Sequence, residues 1–272
     1  GCLIIKMINS KLFKISGLIL LLIMFLGCQS NPIPQSFSDS PKANDLIFLA
    51  HLNEQSQSYQ KAIEIYLELS YIDSPPIWAE KASRLAIDKN FNELALESTH
   101  RWLALEPDEF TPKAARLIAL LRASSLDEFK NLALIVIEGA SDPGFGMLLI
   151  AQALRAEDNF VLSLPVFKAI NQIYEDNAES AYVLSVLCLQ NNLLSESLIF
   201  ASRANHLKPD WKEAAIHYSS LLFLNQQVIE GYKIGFQATG SSVSIDEKIS
   251  LGETLIQTGN SLLAKNYFLK LN

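Results

Sequence analysis

The sequence predicts an all-α protein, a solenoid of about seven consecutive helix-turn-helix pairs over residues 45–272. From residue 45 onward apolar residues recur at i, i+3, i+4 and i+7, the period of an amphipathic helix, without convincing strand alternation. Turn residues recur at a fixed interval, since Pro75, Pro107, Pro143 and Pro209 lie 32, 36 and 66 residues apart. A repeat of about 33 residues predicts stacked units rather than one irregular helical domain.

Small and large residues keep one register through the units. In order, the residues that carry this register are Ala62 and Tyr66 in unit one; Ala82, Ser83, Ala86 and Ala95 in unit two; Leu184, Ser185, Cys188 and Ala204 in unit five; Tyr218, Ser219, Leu222 and Ala238 in unit six; Leu251, Gly252, Leu255, Gly259, Ala264 and Phe268 in unit seven. We expect Gly252 to let two helices approach closely and Gly259 to open the turn between them. Units three and four are less regular, and Pro165 lies near the start of a predicted helix over Phe160–Tyr174.

The first 27 residues have the composition of an export signal that is removed from the mature protein. Lys11 and Lys14 follow Met7, and the apolar run Ile15–Leu26 is shorter than the roughly 20 residues that a membrane-spanning helix needs. The run ends in Phe-Leu-Gly-Cys, which resembles the lipobox of bacterial lipoproteins. The resemblance implies that Cys28 carries the lipid.

The resemblance also sets an expected location and domain division. Gln29 follows the cysteine where an aspartate would resemble an inner-membrane retention signal, so we expect a lipid-anchored protein on the periplasmic face of a bacterial outer membrane. Residues 28–44 are rich in Ser, Pro, Asn and Gln and predict the lipidated cysteine followed by a flexible tether. The predicted parts are thus 1–27 for upstream residues and signal, 28–44 for the tether and 45–272 for the solenoid.

The repeat register resembles the tetratricopeptide (TPR) pattern, most closely in unit seven. Together with the lipobox, it is similar to the long outer-membrane TPR lipoproteins of Gram-negative bacteria. The resemblance implies a right-handed superhelix whose first helices line a concave groove. No polar capping helix follows Phe268, so we expect the solenoid to be incomplete at its C-terminus and favour missing repeats over an exposed partner site.

Catalytic and metal motifs are not evident in the sequence. Its four histidines form no HExxH or CxxC-type arrangement, and the chain lacks GxSxG, GxGxxG and GxxxxGK, so we expect no enzyme activity, metal or cofactor. The formal net charge of −7 argues against nucleic acid as a partner. Cys188 is expected in the core, and Trp102 between repeats. Trp211 is interpreted either as a hydrophobic staple at the start of a helix or as an exposed anchor.

The TPR resemblance places the partner-binding groove on defined positions of the first helices. Carried over, these positions are Glu80, Arg84 and Asp88 in unit two; Glu179, Tyr182, Val186 and Gln190 in unit five; Glu213, Ile216, Ser220 and Phe223 in unit six; Asp246, Ile249, Glu253 and Gln257 in unit seven. Acids beside Tyr, Ile and Phe suit a peptide or helix with apolar anchors and basic flanks, although the acids could equally serve only to keep the groove soluble.

These observations together predict a non-catalytic scaffold that binds protein or peptide partners in the cell envelope, where it assists assembly. Two alternatives stay open. One is a homo-oligomeric structural protein whose last repeat stacks on another copy, and the other is the non-catalytic part of a larger enzyme with its chemistry beyond Asn272.

Overall fold

The computed structural model describes residues 41–72, 75–238 and 245–271. Within these ranges the regular elements are fourteen α-helices and one 3-10 helix, with no strand, so the predicted all-α class is confirmed. The seven successive pairs are α1 Pro41–Gln55 with α2 Tyr59–Ile72, α3 Pro76–Asp88 with α4 Asn92–Leu105, α5 Phe110–Arg122 with α6 Leu126–Gly139, α7 Pro143–Leu154 with α8 Leu164–Ile173, α9 Ala178–Gln190 with α10 Leu194–Leu207, α11 Lys212–Leu224 with α12 Val228–Ala238, and α13 Ile245–Gln257 with α14 Ser261–Leu271.

The predicted signal, the lipobox with Cys28 and the tether up to residue 40 lie outside the described residues. In the part of the chain that is described, no helix combines the length and the apolar character needed to cross a bilayer.

The repeat length is visible in the positions where first helices begin. From α3 onward they start at Pro76, Phe110, Pro143, Ala178, Lys212 and Ile245, which are 33 to 35 residues apart. The predicted period of about 33 residues is therefore confirmed. Between Pro143 and Pro209, which are two periods apart, the intermediate turn lies just before α9 and has no proline.

A residue in the left-handed backbone region closes the first helix of six pairs. These residues are Gln57, Asn90, Ser124, Asn192, Gln226 and Gly259, with φ between 58° and 82°. Each is followed by a residue whose N–H bonds back into the helix, as Phe91 N–H does to the Ala86 carbonyl at 2.9 Å. Glycine is the usual residue at this position after the C-terminus of a helix. Of these six residues, only Gly259 is a glycine and so marks the turn in the sequence.

Small residues allow the two helices of a pair to touch, as predicted. In the fifth pair Ser185 and Ser197 lie twelve residues apart, and each hydroxyl donates to the carbonyl of the other at 2.8 Å. The sixth pair repeats the contact, since the Ser219 hydroxyl donates to the Gly231 carbonyl at 2.6 Å. The third pair places fully buried Leu117 and Phe129 at the corresponding positions, which explains why its register was hard to read.

The fourth pair differs from the prediction at Pro165. The predicted helix Phe160–Tyr174 begins only at Leu164, and residues Asp158–Ser163 form a 3-10 helix instead. Pro165 lacks an N–H and its ring would clash with the carbonyl four residues earlier, so an α-helix can contain it only in the first turn.

The described residues form two compact units that divide at Ile170 and Asn171. In the first unit each helix from α1 to α6 packs on the next one along the chain. In addition, α3 packs on α5, and α5 packs on α7. In the second unit α9 to α12 pack in sequence, α13 packs on α11, and α14 on α13. Packing between successive pairs is what a helical repeat requires to bury its apolar faces.

Candidate binding cleft

A cleft of about 300 Å³ opens between α1, α2 and α3 in the first unit. We call it the α1–α3 cleft, and its lining residues are Glu54, Tyr66, Lys81, Arg84, Leu85 and Asp88. The four that come from α3 are spaced at i, i+3, i+4 and i+7, so one stripe of that helix forms one wall. Glu54 faces them from the end of α1, and Tyr66 contributes from α2.

The base of the α1–α3 cleft is aromatic and rigid. Tyr66 is almost fully buried, and its ring stacks on Trp78 with centroids 6.0 Å apart. Its hydroxyl donates to Glu54 Oε2 at 2.7 Å. Burial, and then the contact with Glu54, raise the pKa of Tyr66 well above its ordinary value, so the phenol stays a proton donor.

Lys81 lies over this aromatic base. Its ammonium is 5.4 Å from the Tyr66 ring centroid and 5.7 Å from that of Trp78. The ammonium also lies 3.3 Å from Nε2 of His51. Desolvation, and then the charge of Lys81, lower the pKa of His51. A neutral imidazole can accept a hydrogen bond from Lys81 but cannot balance its charge.

The remaining charges around the α1–α3 cleft are paired. Arg84 Nε donates to Glu80 Oε1 at 2.7 Å, and its guanidinium lies 5.5 Å from the Trp102 ring. Asp88 Oδ2 lies 2.7 Å from Lys89 Nζ, and the hydrogen bond to Asp88 raises the pKa of Lys89. Among the described residues, no carboxylate lies within ion-pair distance of Lys81.

Of the predicted groove residues, those in the second pair come together at this cleft. Arg84 and Asp88 line it, and Glu80 holds Arg84 in place. The TPR positions missed Lys81 and Leu85, although the spacing of the α3 stripe was present in the sequence. His51 and Glu54 come from the preceding pair, and only the fold brings them to this place.

Five predicted groove residues are corrected by the structure. They are buried and so are not available to a partner: Glu179, Val186, Ile216, Ser220 and Phe223. They lie on α9 and α11, which are apolar on nearly every side and most of whose residues are buried.

The other predicted groove residues of the second unit fall into two groups. In the fifth pair, Tyr182 packs on Trp211 with ring centroids 4.8 Å apart, and Gln190 has a buried amide oxygen. The buried Glu179 accepts a hydrogen bond from Lys208 at 2.5 Å. Glu213, Asp246, Ile249 and Gln257 are exposed, and Glu253 is half-buried. No single cleft collects them in the described part of the chain.

One serine–histidine contact has the separation of a nucleophile and a base. Ser185 Oγ lies 2.9 Å from His217 Nε2. Ser185 is fully buried, however, and it also bonds to Ser197. Desolvation lowers the pKa of His217 to about 4. The contact therefore acts as a polar tie between helices in the core.

The isolated residues singled out in the sequence now have places. Cys188 is fully buried and Trp102 is buried between α3 and α5, as predicted. Trp211 is the N-cap residue of α11 and packs on Tyr182 of α9, so it is not an exposed anchor; this contact joins two pairs and is not the contact within one helix that a hydrophobic staple makes. No group of three or more potential metal ligands occurs among the described residues.

Comparisons with known proteins yield structural likenesses. No protein-family model matches the chain, and no curated protein sequence does. Human IFIT1, solved as a dimer with m7Gppp-AAAA, is 12% identical with a TM-score of 0.41, covering 78% of this chain and 54% of its own. This chain thus spans about half the length of IFIT1. Pseudomonas aeruginosa PilF is 12% identical with a TM-score of 0.40, covering 79% of this chain and 92% of its own. YrrB, described as a TPR protein with an unusual peptide-binding site, is 14% identical with a TM-score of 0.33, covering 76% and 96%.

Proposed function

We propose that this protein is a non-catalytic scaffold that binds a protein partner through the first helices of its pairs. The α1–α3 cleft is the observation that carries the proposal. It combines a rigid aromatic base on α2 with charged side chains that converge from α1 and α3, which is the composition of a recognition site. In the part of the chain that the structure describes, the serine of the Ser185–His217 contact is fully buried and so is not accessible to a substrate.

Capture of partners from an envelope extract tests this proposal. The bait is the full chain, compared with an Arg84→Ala/Asp88→Ala variant that alters one wall of the cleft. A matched control is Lys113→Ala/Asp127→Ala, which removes one positive and one negative charge outside the cleft, from a half-buried and an exposed position respectively. We expect a discrete partner with the wild type and the control and its loss with the cleft variant. The same proteins recovered with all three baits would contradict the proposal.

The proposal includes attachment of the scaffold to the outer membrane through a lipid on Cys28. Its support is the Phe-Leu-Gly-Cys sequence after a short apolar run. The lipoprotein resemblance implies three acyl chains on Cys28, which at about 0.8 kcal/mol per buried CH₂ would make the attachment nearly permanent. Anchoring would confine the cleft to one surface and so raise its effective concentration toward partners at that surface, as in envelope assembly.

Cell fractionation of two cysteine variants tests the anchor. Cys28→Ser should release the protein from membranes while leaving the helical fold intact. Cys188→Ser, the matched control, changes a buried core thiol and should leave the protein in the outer-membrane fraction. If Cys28→Ser still sediments with outer membranes, this interpretation of the N-terminal sequence is wrong.

Self-association is a second candidate function, favoured by large apolar side chains that the second unit leaves exposed. Ile229 is 87% exposed on α12, and Leu262 and Leu269 on α14 are 73% and 63% exposed. Sedimentation of the full chain in detergent over a hundredfold concentration range distinguishes the two functions. A strict monomer excludes self-association, and a dimer that Leu262→Ser/Leu269→Ser dissociates supports it.

A further inference from the structure

We propose that the α1–α3 cleft recognises an acidic segment of its partner, with a carboxylate bound at Lys81. The proposal rests on the scaffold function above and names the chemistry of the partner at that same site. It differs from the sequence-based expectation of a partner with basic flanks, which rested on the acids in the later pairs.

The charges of the cleft decide between an acidic and a basic partner. Each acid close to it already has a hydrogen-bonded neighbour in the protein. Glu54 accepts from the Tyr66 hydroxyl, Glu80 pairs with Arg84, and Asp88 pairs with Lys89. A basic side chain entering the cleft would therefore have to compete with these contacts.

Lys81 is the exception, because no carboxylate among the described residues lies within ion-pair distance of its ammonium. Its contacts there are the imidazole of His51 and the faces of Tyr66 and Trp78. An ammonium has three N–H donors, and a neutral imidazole accepts only one of them. The half-buried Lys81 ammonium thus lines the cleft with donors left for an incoming anion.

The surroundings hold the Lys81 ammonium in a defined place. The Lys81 ammonium lies over the Tyr66–Trp78 stack, whose ring planes are 8° apart, and Tyr66 is fixed by its bond to Glu54. A preorganised donor loses little side-chain entropy when it binds, and charge-assisted hydrogen bonds are the strong ones. Leu85 adds an apolar wall for the methylene groups of the entering side chain.

Three synthetic peptides of equal length test the chemistry directly. Leucine alternates with glutamate in the first, with glutamine in the second and with lysine in the third, and each carries the same fluorophore. Binding to the full chain in detergent micelles is followed by fluorescence anisotropy at low and at physiological salt. We expect the glutamate peptide to bind tightest, with an affinity that falls as salt is added.

Two cleft variants and one control make the test specific. Lys81→Met keeps the apolar part of the side chain and should lower the affinity for the glutamate peptide about tenfold, the usual loss for one charged contact. Glu54→Gln keeps a hydrogen-bond acceptor for Tyr66 but removes a nearby negative charge, so it should raise the affinity for the glutamate peptide. Lys61→Met, at an exposed position of α2, removes the same charge elsewhere and should change nothing.

The outcomes separate this inference from the scaffold function. Tighter binding of the lysine peptide, or equal weakening by Lys81→Met and Lys61→Met, would overturn the acidic-partner proposal. A partner captured from the envelope extract would then still support the scaffold. Absence of binding by all three peptides would also overturn the inference, and thermal melting of each variant shows that it remains folded.

Discussion

The close approach of α6 and α7 gives the sharpest stability prediction, through Gly146. A Cβ added at this residue would lie 2.8 Å from the Ile137 Cα, 3.1 Å from the Ala140 Cβ and 3.2 Å from the Val136 carbonyl oxygen. Two of these atoms belong to the backbone and cannot turn aside as the end of a side chain can. Gly146→Ala therefore forces α7 away from the end of α6.

The magnitude follows from two opposing effects. Overpacking typically costs about 1–3 kcal/mol, and replacing glycine by alanine inside a helix returns about 0.5–1 kcal/mol. We expect Gly146→Ala to lower the free energy of unfolding by about 1–2 kcal/mol. Gly139→Ala is the matched control, since a Cβ there meets nothing within 4 Å and should be neutral or slightly stabilising.

Urea unfolding followed by far-ultraviolet circular dichroism measures both variants. A lower midpoint at unchanged slope reports lost stability rather than a changed unfolded state. If Gly146→Ala proves as stable as Gly139→Ala, α6 and α7 do not pack as closely as described and the reasoning fails.

Three further predictions concern the core and the turns. Desolvation lowers the pKa of His217 from 6.5 to about 4, so the unfolded chain takes up a proton first as the pH falls. The free energy of unfolding should therefore not depend on this group above pH 6.5 and should fall by about 3 kcal/mol between pH 6.5 and pH 4. In urea unfolding, His217→Phe should not show this fall. Arg122 and Glu157 form a largely buried ion pair with contacts of 2.6 and 2.9 Å. Arg122→Met should lower the free energy of unfolding in urea by about 3 kcal/mol, because it leaves the Glu157 carboxylate without this partner, and Arg122→Met/Glu157→Leu should recover most of the loss. Gln226→Gly should raise the thermal midpoint, since residue 226 has φ of 63° and its side chain costs about 1 kcal/mol there.

The repeat was predictable from the sequence because its physical causes are local. Helical periodicity, proline after second helices and small residues at close contacts all leave a mark within about 33 residues. The turns that end the first helices leave almost no mark in the sequence. Their positive-φ residues include Gln57, Asn90, Ser124 and Gln226, which are not glycine. Their conformation is imposed by the helices on both sides, which a sequence pattern does not record.

The candidate site was predicted only in part because it depends on neighbours distant in sequence. Position alone placed Arg84 and Asp88 on the face of α3 that lines the α1–α3 cleft. The same rule failed for Ile216 and Phe223, because burial depends on how apolar the whole helix is and on what packs beside it. The contact of Lys81 with His51 joins residues 30 apart, so the unbalanced charge could be recognised only once the helices were in place.

Site-specific photo-crosslinking in living cells tests whether the α1–α3 cleft holds a protein partner. A photoreactive amino acid is placed at Arg84 in the cleft or, as a control, at Ile199, which is exposed on α10 outside the cleft. We expect one discrete crosslinked protein from position 84 and none from position 199. If position 84 yields no crosslinked protein, or if both positions yield the same products, the cleft does not hold a protein partner.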